Sequence, residues 1–222
     1  IETMREFSKR KKAPKPDRII DEGTLLLTDD NSDRKDSGSY YTPEYIVDHI
    51  VESTLEPICK DLSAEDVFSL KICDPAMGSG HFLLGVVRYL EGVVKEKLYK
   101  EQKLGKGVTF DPLELRWQLL HSCVYGVDIN PLAVELAKFS LWIYSVRKTG
   151  ELEPLSDQCK LGDSLISDLK DYTLSFDWKL SFKEILDDGG FDAVVGNPPY
   201  VGESGHKKIF RQIKSGVFGK KY

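Results

Sequence analysis

The stretch VFSLKICDPAMGSGHFLLGVV, residues 67–87, decides the fold. Val67, Phe68, Leu70, Ile72 and Cys73 make its first half apolar on both faces, as a strand in the middle of a parallel sheet must be. The run stops at Asp74, turns through Ala76-Met77-Gly78-Ser79-Gly80 and passes into an apolar helix from about Phe82 to Lys100. Working outward, residues 101–111 read as a surface loop, 112–121 as a helix and CVYGVD (123–128) as a second buried strand. Asn130-Pro131 caps and opens a helix to about Lys148. A short strand over 159–161 ends in Gly162-Asp163, and FDAVVG (191–196) is the last clear strand. Upstream, Thr42-Pro43-Glu44 offers a capping threonine, a proline suited to the first helical position and an acid for the first turn. Ile46, Val47, Ile50, Val51 and Leu55 follow as one helical stripe. This order of elements predicts an α/β domain with a doubly wound, mostly parallel sheet.

Composition bounds the rest. With 41% apolar and 30% charged residues in 222, collagen-like, disulfide-scaffold and wholly disordered classes are excluded. No apolar run approaches the ~18 residues of a membrane span, and no charged-then-apolar leader opens the chain, so a cytoplasmic protein with no membrane partner is expected. Cys59, Cys73, Cys123 and Cys159 form no C-x-x-C pair and read as small buried residues of a reducing compartment. The net charge of −5 is uneven: residues 1–18 carry +4, residues 201–222 carry +5, and the body between them −14. Nucleic acid would therefore be met by the ends and not by the body. Residues 1–37 read as a basic and polar linker, and 38–222 as the folded part. The first residue is Ile1 and not Met, as expected of an internal piece of something longer.

Ligands of open parallel sheets bind beyond the carboxyl ends of the strands. Asp74, Asp128, Asp163 and Asn197 all fall there. One acid after a strand is often just a cap; three after successive strands, with a glycine loop, point to a shared ligand. The loop lacks the third glycine of a dinucleotide fingerprint, since Leu83 stands there, and Asp128 follows Gly80 by 48 residues. No G-x-x-x-x-G-K-[ST] is present either. A pyrophosphate is thus disfavoured. Asp74 suits an ammonium group and Asp128 a pair of ribose hydroxyls, a combination that points to S-adenosylmethionine without a metal. Asn197-Pro198-Pro199-Tyr200 is the most specific feature: the prolines remove two N–H donors and leave carbonyl acceptors, Asn197 adds another acceptor and Tyr200 an aromatic face. Two acceptors on an exocyclic amine would draw its lone pair out of conjugation. His81 reads as a cap or packing residue, Trp117, Trp142 and Trp178 as packing, and His121 and His206 have no companion ligands.

With these residues in view, the chain resembles the gamma-class S-adenosylmethionine-dependent N6-adenine DNA methyltransferases, particularly the methylase part of type I and type IIG restriction-modification enzymes. The resemblance runs from about Gly38 to Tyr200. It implies a Rossmann-like methyltransferase fold in which Tyr41 and Thr42 of GSYYTPEYIVDHIV (38–51) lie by the cofactor's methionine end. DPAMGSGHFL (74–83) becomes the cofactor loop, with Asp74 on the amino group and Ala76, Gly78 and Gly80 in close approach. Asp128 takes the ribose, Ile129 lies against adenine, and Asp163 of LGDSL (161–165) reaches the adenine amine. Asn197, Pro198, Pro199 and Tyr200 are the catalytic residues, and a flipped adenine in double-stranded DNA is the substrate.

The family's later strands and target-recognition domain would follow Tyr200, where 22 residues remain, so a partial catalytic domain is expected, with any specificity or nuclease module outside the chain. Three rival readings fit these residues less well. A glutamine-amide methyltransferase of a translation release factor shares the NPPY tetrapeptide, but its loop more often reads D-x-G-T-G-S-G and it lacks the YYTP segment. An N4-cytosine DNA methyltransferase more often carries serine in place of the asparagine. A cofactor-binding scaffold without catalysis would not need the intact tetrapeptide.

Overall fold

The computed structural model describes residues 42–100, 111–146, 154–166 and 173–198. Tyr41, Pro199, Tyr200, the 1–37 linker, most of the 101–111 loop and the basic end 201–222 lie outside them.

Four short strands form one parallel sheet in the order β3-β2-β1-β4: β1 (Ile72–Asp74), β2 (Val124–Asp128), β3 (Cys159–Leu161) and β4 (Ala193–Val194). Ile72 pairs with Val124 on one side and Ala193 on the other, while Gly126 pairs with Cys159. The chain winds from β1 outward to β3, then returns to add β4 on β1's far side. That reversal is the topological switch point of a doubly wound sheet, and the crevice there opens at the carboxyl ends of β1 and β4. The mostly parallel α/β expectation holds.

Helices α1 (Glu44–Cys59), α2 (His81–Lys100), α3 (Pro112–Cys123) and α4 (Pro131–Ser145) supply the main core. Val47, Val51 and Leu55 of α1 are buried with Leu83, Val86, Val87 and Leu90 of α2 and with Leu119, Leu120, Leu141 and Ile72. A Cβ on Gly85 of α2 would lie 2.7 Å from Val47, so the glycine lets the two helices approach closely. A smaller aromatic cluster around Tyr125, Phe176, Phe182, Trp178 and Phe191 packs on β2, with α5 (Trp178–Ser181) and α6 (Lys183–Asp187) contributing to it. The three tryptophans are partly buried, and the four cysteines are free and buried, as expected.

Two expectations need correction. The strand read over 67–75 is only three residues long; Asp66–Ser69 is a 3-10 helix. Ser63 and Asp66 bond each other through backbone and side chain, which nucleates the turn. Its neighbours in the sheet start too late to pair upstream of Ile72, because α3 runs to Cys123 and β4 begins at Ala193. Thr42, read as the cap of α1, does not cap it: Pro43 occupies the N-cap with no side-chain bond, and Glu44 opens the helix. The Asn130 cap is as expected, its side chain accepting from the Leu132 backbone N–H at 2.9 Å. Asp111 caps α3 in the same way.

Candidate functional site

The loop after β1 is held down on β2. Met77 N–H donates to the Val127 carbonyl at 3.0 Å, and Gly80 N–H closes the turn on the Met77 carbonyl at 2.9 Å. Gly78 and Gly80 have φ of 54° and 87°, the left-handed region that L side chains avoid. At Gly80 a Cβ would also press on Ala137 of α4 at 3.2 Å. Glycine is thus required there by backbone conformation and by the closeness of a helix.

Asp128, at the end of β2, ties this loop to the next turn. Its Oδ2 accepts from Gly78 N–H and its Oδ1 from Asn130 N–H, each at 2.8 Å. A carboxylate has about four lone-pair sites, so two remain for further donors. Ile129 beside it is an exposed apolar side chain, 44% accessible, available to a flat apolar ligand. Asp163 is buried beyond β3, where its Oδ1 accepts from Leu165 N–H at 3.0 Å and its backbone bridges to Ser175.

Asp74 differs from both. It is 1% exposed; Oδ1 accepts from Ala76 N–H at 2.9 Å, while the buried Oδ2 has no partner. Burial, with a further push from the Asp128 charge, raises its carboxyl to about 7, against the pull of the Ala76 hydrogen bond. An orphaned carboxylate oxygen in a buried site fits a cationic donor, so the residues present suit the ammonium group of S-adenosylmethionine.

The end of β4 comes down on this same carboxylate. A Cβ on Gly196 would lie 2.6 Å from Asp74 Oδ1, so only glycine lets the strand pass. Asn197 follows, half-buried, with its Nδ2 donating to Thr42 Oγ1 at 3.2 Å. The structure therefore brings Thr42, Asp74, Ala76, Gly78, Gly80, Asp128, Gly196 and Asn197 to one end of the sheet. Pro198 is exposed beside them.

Gly196 and Gly126 were not singled out from the sequence. Gly126 leaves room for the Met77 and Leu83 side chains against β2, with Leu83 Cδ1 2.9 Å from where a Cβ would stand. A glycine inside a buried strand signals close approach of a ligand or backbone, and that signal was available at both positions. Among the described residues, no group of three or more His, Cys, Asp or Glu could hold a metal ion, and no helix is long and apolar enough to cross a membrane.

The chain as a whole is similar to proteins of known class. The family described as Eco57I restriction-modification methylase matches residues 122–222. The chain is 31% identical, over 89% of its length, to the adenine-specific methyltransferase PglX of Streptomyces coelicolor. It is 25% identical, over 82% of its length, to the type II restriction enzyme and methyltransferase RM.Eco57I of Escherichia coli. It spans only 18% and 19% of those two proteins. A solved DrdV–DNA complex shares the fold with a TM-score of 0.50 at 20% identity, covering 78% of this chain and 15% of that one. The resemblance read from the sequence, to the methylase part of restriction-modification enzymes, is borne out.

Proposed function

We propose that this chain, matched over residues 122–222 by the Eco57I restriction-modification methylase family, is the cofactor-binding and catalytic part of an enzyme that methylates the N6 amine of adenine in double-stranded DNA within a restriction-modification or related defence system. The observation that carries this reading is the meeting of β1 and β4: the orphaned Asp74 Oδ2 lies one residue's contact away from the backbone that presents Asn197. A site for a cation and a site for an amine are thereby adjacent.

When bound, S-adenosylmethionine supplies an electrophilic methyl group. Asp74 receives its amino group, the loop of Ala76, Gly78 and Gly80 allows close approach, and Asp128 receives the ribose hydroxyls with its two open lone-pair positions. Ile129 would cover the cofactor's adenine and Asp163 would meet that ring's amine. Thr42 would border the methionine end, and Tyr41, by the family resemblance, would do so with it. The target adenine must leave the duplex stack, at a cost of a few kcal/mol, to reach the strand ends. Tyr200 provides the face on which it stacks. Asn197 Oδ1 and the Pro198 carbonyl accept the two amine hydrogens, and Pro199 cannot donate a competing N–H. Held so, the nitrogen's lone pair turns out of the ring and becomes nucleophilic. The gain comes from orientation and fixed dipoles, and the methylated nitrogen is acidic enough to lose its proton without a strong base.

Transfer of tritiated methyl by the intact protein to DNA, RNA and protein substrates tests the reading. N6-methyladenine as the product is the expected outcome. Label in cytosine or in a glutamine amide would replace it with a rival chemistry, and cofactor binding without any transfer would leave a scaffold.

A further inference from the structure

Thr42 stands where a helix cap is expected, yet its hydroxyl does not serve the helix. The Ile46 and Val47 N–H groups both bond the Pro43 carbonyl, and no side chain caps α1. Only 9% exposed, the threonine carries a buried hydroxyl, and what that hydroxyl meets is Asn197, 155 residues away in sequence. Buried polar groups are hydrogen-bonded as a rule, but this one is bonded to the side chain proposed to accept from the target amine.

We propose that Thr42 is a positioning residue, whose hydroxyl oxygen accepts from Asn197 Nδ2 and so fixes the side-chain amide with Oδ1 left to receive the target amine. The inference rests on the reading of Asn197 as an amine acceptor and deepens it. An asparagine amide can rotate by half a turn with little change of shape, which exchanges its donor and acceptor ends. In the flipped state an N–H would face the amine, donor against donor, and the nitrogen's lone pair would stay in the ring. The hydroxyl can donate as well as accept; as the acceptor from Nδ2, the arrangement found here, it leaves Oδ1 turned to the target amine.

The acceptor is itself held firmly. The Arg88 guanidinium of α2 grips Glu44 and Asp48 of α1, the second at 2.9 Å. Gly85 lets Val47 pack at near-contact distance on the same helix. Helix α2 grows from the glycine loop, so Thr42, Asn197 and that loop form one rigid frame.

The test uses the intact protein with Thr42→Val, which keeps shape and removes the acceptor, and Thr42→Ser, which restores it. Single-turnover transfer to adenine-containing duplex DNA, at saturating cofactor and DNA, should slow roughly tenfold in Thr42→Val and return to within about threefold of wild type in Thr42→Ser. Because Thr42 also borders the proposed cofactor site, calorimetry measures any loss of cofactor affinity separately, and the transfer rates are compared only at saturating cofactor. In an Asn197→Ala background, Thr42→Val should cost less than about twofold more, because the group it positions is gone. NMR should show the Asn197 side-chain N–H slow to exchange in wild type and fast in Thr42→Val. A wild-type rate in Thr42→Val, a loss cured by more cofactor, full additivity with Asn197→Ala, or an unprotected wild-type amide would each overturn the proposal. If wild type transfers no methyl to adenine, the function reading falls, while amide exchange still decides whether Thr42 holds Asn197.

Discussion

The two halves of the site are built in different ways. At the ends of β1 and β2, carboxylates are tied to backbone: Asp128 accepts from two N–H groups and Asp74 from one. At the end of β4, Asn197 is reached by a single side-chain bond from Thr42, at 3.2 Å. The first half is part of the scaffold, so damage there should reach binding and stability together. The second half is placed by the scaffold without supporting it, and damage there should fall on turnover. Helix α1 explains how both can stand at one sheet end: it is packed into the core by Val47, Val51 and Leu55, and only its leading Thr42 touches the chemistry.

The largest effect that this contrast predicts is at Asn197. Asn197→Ala should lower methyl transfer by roughly 10²- to 10³-fold, the scale on which loss of one preorganised hydrogen-bonding group is felt. Cofactor affinity and thermal stability should stay close to wild type. Single-turnover rates measured beside calorimetry and thermal melting check this; a matching loss of stability would place Asn197 in the scaffold after all. Tyr200→Ala should cost less, about 1–3 kcal/mol of base stacking, and Tyr200→Phe should be mild because the ring face is what stacks.

Asp128→Ala should produce the opposite profile. It leaves the Gly78 and Asn130 N–H groups without their acceptors, so cofactor binding should weaken by about 1–3 kcal/mol and the melting temperature should fall with it. Weakened binding with no change in melting would show that Asp128 meets ligand only. Gly126→Ala extends the same logic to packing. The added methyl would fall 2.9 Å from Leu83 Cδ1 and against Met77, so both side chains must shift, for a loss of about 1–3 kcal/mol in denaturant unfolding, and Asn197 chemistry should persist in what remains folded.

These two halves were also unequally legible in the sequence. The glycine loop, the strand-end acids and the Asn130 cap are local patterns, each set by neighbours within a few residues, and the structure has each at the place in the fold where its pattern puts it. The 3-10 helix at Asp66–Ser69 was taken for strand because an apolar run shows burial and not backbone angle. What decides that stretch is the late start of its partner strands at Val124 and Ala193. Thr42 was taken for a cap because Thr-Pro-Glu favours one, whereas its actual partner comes from the far end of the chain. Gly196 and Gly126 are needed for contacts with Asp74 and with Met77 that only the folded sheet creates. Local chemistry could be read from the sequence, and contacts between distant segments could not.

The smallest predicted effect concerns the proton on Asp74. Asp74's carboxyl is pushed up to about 7, chiefly because burial disfavours its charge. Since this lies above the ordinary carboxyl value, the folded chain binds that proton more tightly than the unfolded chain does. The contribution to stability is fully present below about 4 and is lost as pH rises through about 7. A cationic ligand reverses the preference, because the ammonium group needs the carboxylate. Cofactor binding should then expel close to one proton at about pH 6 and almost none above about pH 8, with affinity falling by nearly tenfold per unit on the acid side of the midpoint. Near pH 7.5 the difference should be under about twofold. Calorimetry in two buffers of different ionisation enthalpy counts the proton directly. Asp74→Asn should bind more weakly but lose both the proton release and this slope, whereas Asp128→Asn should keep a proton release with its midpoint moved to lower pH, since it removes one of the charges that push the Asp74 carboxyl up. An affinity that stays flat from about pH 6 to 8 in wild type, with no proton released, would mean that Asp74 already carries its charge in the free site and that its unpartnered oxygen is not reserved for a cation.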